Sequence, residues 1–486
     1  MLLRAFLAAS VLAAVAAGPS GRAQAPGAAP LSDPHVAGFR FPETEATLTS
    51  WITQSARAAS VEERDAAAAK IFLHGWGLWT AITAETAQFS ERQRLRQFET
   101  WLTPEELAGL PDPRDVLAIA PRRTLGTAAA PRRAVLRPLN QLRRASEAED
   151  NDSAAAAAVF DLPVTRVVGF VKFDPTAADH IRQQGLLRRA TLDLLLDGGA
   201  QQVPPFPSTA LVVKPVFQVI RARDLVAGRY YALKAWSGPP ATPQPWGPAE
   251  WSGAVWLDVL DGGSGSGAID EPFAPDGSTR TDDTTYPLSA IIHYRLSATD
   301  AAALNAAKPG TDAAGGDIAV LVAMHVAGRE IARWTWQTFW WTPAPDTPPA
   351  PSSAAIVRAR PVELAGPARH YAMAVAYAML SPDQPYVGGD NVAPAVYAYN
   401  PWLEAGLRPV DLPDSRPGFD PLGQPAANNT GVQTNCMSCH IQATYNPQQL
   451  ATAPRFTGAR YVDLGAAGFV GTLQTEFLWS ISRHAQ

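Results

Sequence analysis

The only two cysteines of the chain, Cys436 and Cys439, lie three positions apart, and His440 follows directly. Because 486 residues contain no further thiol, a fold held together by a network of disulfide bonds is excluded. Residues at positions i, i+3 and i+4 share one face of an α-helix. A short helix over this stretch would therefore present both sulfur atoms and the imidazole ring in the same direction.

The spacing Cys-x-x-Cys-His is the attachment motif of c-type haem. It predicts that Cys436 and Cys439 bind the two vinyl groups of one porphyrin as thioethers, with His440 as the proximal iron ligand. Three other interpretations stay open from the residues alone. A zinc site would need additional ligands from distant His, Asp or Glu side chains. A redox-active dithiol is typical of a βαβ unit, and a disulfide would close a very small loop and leave His440 unexplained.

Over the five residues Cys436–His440, the chain resembles the c-type cytochromes. The resemblance implies one haem c and electron transfer with redox partner proteins. In small cytochromes a methionine downstream of the motif often provides the second axial ligand, but no methionine follows His440 here. The candidates for this ligand are His325, Met324, His370, Met373, Met379 and His484. An open second position is the alternative, and it would suit a haem-dependent oxidoreductase or a gas sensor whose ligand lies near the Trp334–Trp341 strand.

Residues 1–25 have the pattern of a secretory signal peptide. Arg4 provides the positive charge, Ala5–Ala17 is apolar, and Ala23–Ala25 is a small-residue cleavage site, with Val15–Ala17 as a second candidate. The apolar core is shorter than the roughly 20 residues that cross a bilayer. We therefore expect no membrane span after cleavage, with an uncleaved anchor as the alternative. Covalent haem attachment takes place outside the cytoplasm, so the leader and the motif together predict a periplasmic protein.

Composition limits the classes of partner. Hydrophobic residues make up 47% of the chain and charged residues 17%, with a formal net charge of −5. These values are typical of soluble globular proteins, and the balance is not basic enough to predict a nucleic-acid partner.

The organisation that we expect is α+β. Residues 26–160 are predicted to be helical, with N-terminal capping signals at Ser60 and Thr103. This region includes an arginine-rich loop, Arg122–Arg144, which is either a solvated linker or a docking patch for an acidic partner. Short β-branched and aromatic runs between turns predict a mainly antiparallel β domain over residues 161–342.

The end of the β domain and the region after it contain two further features. Trp334–Trp341 alternates as a strand, which predicts Trp334, Trp336, Thr338 and Trp340 on one face and Phe339 and Trp341 on the other. Such a strand is either buried on both faces or an aromatic surface against a porphyrin. A proline-rich linker over residues 343–355 leads into a helical and loop-rich, haem-binding segment, 356–486, in which Pro367–Leu380 is predicted to be a helix.

Overall fold

The apolar run Ile318–Gly328 forms a strand that is buried along its whole length, between Leu211–Ile220 and Thr335–Trp341. The structure is a computed structural model. It describes residues 31–90, 93–110, 167–381, 383–385, 387–407, 431–448 and 459–486. The predicted signal peptide 1–25 and the arginine-rich loop Arg122–Arg144 lie outside these residues.

The described secondary structure alternates between helices and short strands. The helices are α1 (Glu45–Arg57), α2 (Val61–Thr83), α3 (Pro104–Ala108), α4 (Pro175–Gln184), α5 (Arg189–Asp197), α6 (Ala298–Ala307), α7 (Ala354–Arg358), α8 (Cys436–His440) and α9 (Trp479–His484). The strands are β1 (Glu85–Ser90), β2 (Gln93–Arg96), β3 (Val167–Gly169), β4 (Lys172–Phe173), β5 (Leu211–Ile220), β6 (Tyr230–Lys234), β7 (Ala254–Asp258), β8 (Thr285–Pro287), β9 (His293–Arg295), β10 (Ile318–Gly328), β11 (Thr335–Trp341), β12 (Tyr371–Ala376), β13 (Thr444–Tyr445) and β14 (Leu473–Gln474).

One seven-stranded sheet dominates this part of the chain. Its strand order is β12-β11-β10-β5-β3, with β4 also paired to β5 and β9 to β10. All of these pairs are antiparallel. A smaller sheet, β6-β7-β8, contains a parallel pair between β7 and β8. The α+β prediction and the mainly antiparallel sheet are therefore confirmed.

The alternation predicted for the tryptophan-rich strand is also confirmed. Trp336 and Trp340 belong to one hydrophobic cluster, whereas Phe339 and Trp341 belong to the cluster on the other face of the sheet. Helix α2 covers the second face, where the ring of Trp79 stacks on Phe339 with centroids 4.2 Å apart. The cluster on the first face includes residues of α1 and α4 together with residues of the C-terminal part of the chain, among them Cys436 and Met437.

The N-terminal helices begin where the capping signals predict. The hydroxyl groups of Ser60 and Thr103 accept hydrogen bonds from the backbone N–H groups of Glu63 and Glu106. The prediction of helix is wrong for residues 85–96, which form the β1–β2 hairpin. Residues 85–90, which follow α2, alternate between exposed and half-buried positions, and this period of two is typical of a strand.

The predicted helix over Pro367–Leu380 is wrong as well. Tyr371–Ala376 is strand β12, which pairs with β11 at the edge of the main sheet. Alanines alternate with Tyr371 and Met373, and this period of two places the small side chains on the tryptophan face and the large ones against α2. The proline-rich residues 343–355 therefore connect neighbouring strands of one sheet. No helix among the described residues combines the length and the apolarity that a bilayer crossing requires.

Candidate functional site

The motif residues form the short helix α8, as the sequence predicts. Asn435 is its N-cap, and the side-chain oxygen accepts hydrogen bonds from the backbone N–H groups of Met437 and Ser438 at 2.9 and 3.1 Å. The amide nitrogen of the same side chain donates to the carbonyl oxygens of Ala378 and Val396 at 3.2 and 2.6 Å. Asn435 is fully buried. This one side chain therefore fixes the start of α8 to the segment that follows β12.

Both motif cysteines are free thiols, so the interpretation as a disulfide is not supported. Cys436 is buried and donates to the carbonyl oxygen of Ala398 at 3.2 Å, while Cys439 is half-buried. Burial raises the pKa of Cys436 well above its usual value and that of Cys439 to about 12. Within the described residues, no group of three or more His, Cys, Asp or Glu side chains is arranged to hold a metal ion, which gives no support to a zinc site.

The orientation of His440 is set by its neighbours. Its Nδ1 lies 2.9 Å from the carbonyl oxygen of Phe477. Since a carbonyl oxygen only accepts, Nδ1 carries the proton and the lone pair is on Nε2. The ring lies between Trp336 and Trp479, with centroid distances of 4.1 and 5.1 Å. Burial lowers the pKa of His440 to about 3, so the imidazole is neutral, as a metal ligand must be.

The carbonyl group that fixes His440 belongs to an unusual turn. Glu476 and Phe477 have φ angles of +50° and +66°, a left-handed conformation that costs a non-glycine residue about 1–2 kcal/mol. The turn is held by Arg329, at the end of β10, whose Nε donates to the buried carboxylate of Glu476 at 2.6 Å. Backbone strain of this kind persists only where the surrounding structure imposes it. Here it directs the Phe477 carbonyl towards His440.

A group of charged side chains surrounds the motif on the tryptophan face. His325 on β10 bonds Glu404 through Nε2 at 2.8 Å, and Lys214 on β5 is the register partner of His325. Burial lowers the pKa of Lys214, while the charge of Glu404 raises it. Arg483 and Cys439 also act electrostatically on Lys214, so these groups share one environment. Burial raises the pKa of Glu404, but His325 and Lys214 together bring it below the usual value, which keeps this carboxylate ionised.

Three of the predicted candidates for the second axial ligand lie away from α8. Met324 and Met373 belong to the hydrophobic cluster on the face that α2 covers. His370 lies beside the ring of Tyr286, at a centroid distance of 6.4 Å, and Tyr286 contacts Trp341 on that same face. The seven-stranded sheet therefore separates these three side chains from the motif.

The other three candidates lie on the side of α8. The sulfur of Met379 accepts from the backbone N–H of Val462 at 3.4 Å. His484 is paired with Glu105 at 3.3 Å. His325 is the candidate that interacts electrostatically with His440, and its Nδ1 is buried without a hydrogen-bond partner among the described residues.

Buried polar groups without a described hydrogen-bond partner lie on the face of the sheet that carries α8. Indole N–H groups of Trp340 and Trp479 are buried and, like Nδ1 of His325, have no partner within the described residues. A buried polar group without a partner costs about 1–3 kcal/mol, so its presence calls for an explanation. A porphyrin bonded to Cys436 and Cys439 would bring an iron atom and two carboxylates to this face.

Sequence reasoning missed several residues of the site. Asn435 was recognisable, since an asparagine directly before a short helix is a standard N-cap. No local sequence pattern identifies Glu404, Lys214 or the turn at Phe477 as part of the site, because each lies near the motif only through tertiary packing. No family model, curated protein or solved structure matches the chain.

Proposed function

We propose that this chain is an exported monohaem protein of the c type that transfers single electrons between redox partners. Haem iron, when bound, takes up or releases one electron. Cys436 and Cys439 would each add their S–H across one vinyl group, with the sulfur bonded to one carbon and the hydrogen to the other. His440 would hold the iron on the proximal side.

The arrangement of His440 carries this proposal. It stands directly after the two cysteines on α8, and its Nδ1 is bonded to the Phe477 carbonyl. Metal-ligating histidines characteristically donate their second ring nitrogen in this way, which fixes the tautomer and strengthens the ligand. A histidine that served only packing would not need a strained turn to orient it.

Burial also supports electron transfer. Trp336 and Trp479 enclose His440, and Cys436 and Met437 lie inside the hydrophobic cluster of the tryptophan face. An apolar shell of this kind limits solvent access and thereby influences the reduction potential of a metal centre. Periplasmic export rests on the predicted leader, residues 1–25.

The test is production of the full chain with its leader in a bacterial host that matures c-type cytochromes. Intact mass should increase by about 616 Da, the mass of one haem. Peptide mapping should place this mass on the peptide that contains Cys436 and Cys439. The double variant Cys436→Ala/Cys439→Ala should be exported without it. Met437→Leu is a matched control on the same helix and should keep the haem.

A colourless wild-type protein of unmodified mass, from a host that matures a reference cytochrome in parallel, would contradict the proposal. The N-terminus of the same exported material tests the localisation. Cleavage after Ala25 or Ala17 is expected, and an intact Met1 would contradict a cleaved leader.

A further inference from the structure

The ring of His325 is fixed from one side only. Its Nε2 lies 2.8 Å from a carboxylate oxygen of Glu404. An ionised carboxylate only accepts, so Nε2 carries a proton, and in the neutral ring the lone pair is then on Nδ1. His325 is 7% exposed, and Nδ1 has no partner among the described residues. The structure thus presents a buried imidazole whose Nδ1 has no hydrogen-bond partner among the described residues.

Glu404 is itself anchored to the sheet. The backbone N–H of Asn400 donates to its second carboxylate oxygen at 2.6 Å. The side-chain amide of Asn400 in turn donates to the hydroxyl of Thr338 and the carbonyl of Phe339 at 2.8 and 2.9 Å. Because Thr338 is the register partner of His325, the carboxylate and the imidazole are fixed to the same pair of strands.

His325 and His440 are arranged in the same way. Each has one ring nitrogen bonded to an oxygen acceptor, and the other has no hydrogen-bond partner in the described part of the chain. Trp336 contacts the ring of His440 and pairs with Ala327, two residues along β10 from His325. Residues that are diagonal neighbours on one face of a sheet are roughly 7–8 Å apart. Both imidazoles therefore border Trp336 on the tryptophan face.

We infer that His325 is the second axial ligand of the haem iron, through Nδ1, and that Glu404 is its positioning residue. The inference rests on the proposed function. A carboxylate that accepts from the far nitrogen of an iron-bound histidine raises the basicity of the ligand. It therefore favours the ferric state. Bis-histidine ligation closes the iron to exogenous ligands and suits electron transfer, and it joins the main sheet to α8 through the metal.

The experiment uses the exported, haem-loaded full chain. Wild-type protein is expected to be low-spin in both oxidation states, without a sulfur-to-iron charge-transfer band, and to bind no carbon monoxide when reduced. His325→Ala should keep the full haem mass but become high-spin and bind carbon monoxide stoichiometrically. Added imidazole should restore the low-spin spectrum. His484→Ala, which removes a histidine paired with Glu105, should behave like the wild type.

Glu404→Gln separates positioning from ligation. This variant should remain low-spin with a more positive midpoint potential. A neutral amide is a weaker acceptor for the Nε2–H group than a carboxylate, so the imidazole becomes less basic and stabilises the ferric state less. If His325→Ala yields no soluble protein, His325→Met decides instead, since a thioether in that position should produce the sulfur-to-iron band.

Two sets of results would overturn the inference while leaving the proposed function intact. In one, His325→Ala with full haem stays low-spin and does not bind carbon monoxide when reduced, or His325→Met shows no sulfur-to-iron band. In the other, the wild type is already high-spin. Absence of the haem mass from the wild type would remove both proposals, and mass spectrometry detects that outcome separately.

Discussion

Substitution of Asn435 should release α8 from the segment that follows β12. The side chain makes four hydrogen bonds to backbone groups from a fully buried position. Loss of an N-cap costs about 1 kcal/mol. The carbonyls of Ala378 and Val396 would each lose a donor, at about 1 kcal/mol apiece or more. Asn435→Ala should therefore lower the free energy of opening α8 by about 3 kcal/mol.

Hydrogen exchange of the amides of residues 437–441, followed by mass spectrometry, measures this opening directly. A loss of about 3 kcal/mol corresponds to exchange faster by about 100-fold. Asn435→Ser is the matched control, because the serine hydroxyl can still cap the helix and only the two hydrogen bonds donated by the Asn435 amide are lost. This variant should lower the free energy of opening α8 by about 2 kcal/mol. An acceleration below about 5-fold in Asn435→Ala would refute the reasoning, as would equal effects of both variants.

Three further outcomes follow from packing and charge. Trp79→Ala should lower the free energy of unfolding by about 3–5 kcal/mol in denaturant titrations, and Trp79→Phe by less, since a ring can still stack on Phe339. Arg329→Met should cost about 3–5 kcal/mol because it leaves the carboxylate of Glu476 buried and unpaired, and adding Glu476→Gln should recover most of this. A double variant no more stable than Arg329→Met would contradict that account. Burial lowers the pKa of Lys308 from 10.5 to about 8, so the unfolded chain holds more protons between those values. The free energy of unfolding should then rise with pH across this window, and by less in Lys308→Met.

The sequence predicted the β-rich core well, for a physical reason. Ile318–Gly328 and Leu211–Ile220 are apolar, β-branched runs bounded by turns, and burial on both faces leaves them little alternative to a central strand. The segment Pro367–Leu380 was wrongly predicted to be a helix, because a proline at its start and several alanines are typical of helices. Pairing with Thr335–Trp341, on a distant part of the chain, decided the strand conformation of residues 371–376.

What the sequence determined by itself about the candidate site is local: two cysteines and a histidine on one face of a short helix, with Asn435 to begin it. Spacing along the chain is sufficient for this, because neighbours within one helical turn meet in any fold. Only the tertiary structure decided which side chains surround that helix. It separates Met324, Met373 and His370 from α8 by the sheet, and it brings His325 and Glu404 to the same face as His440. The sequence could not decide this, since those contacts depend on strand register and on which face of the sheet each segment covers.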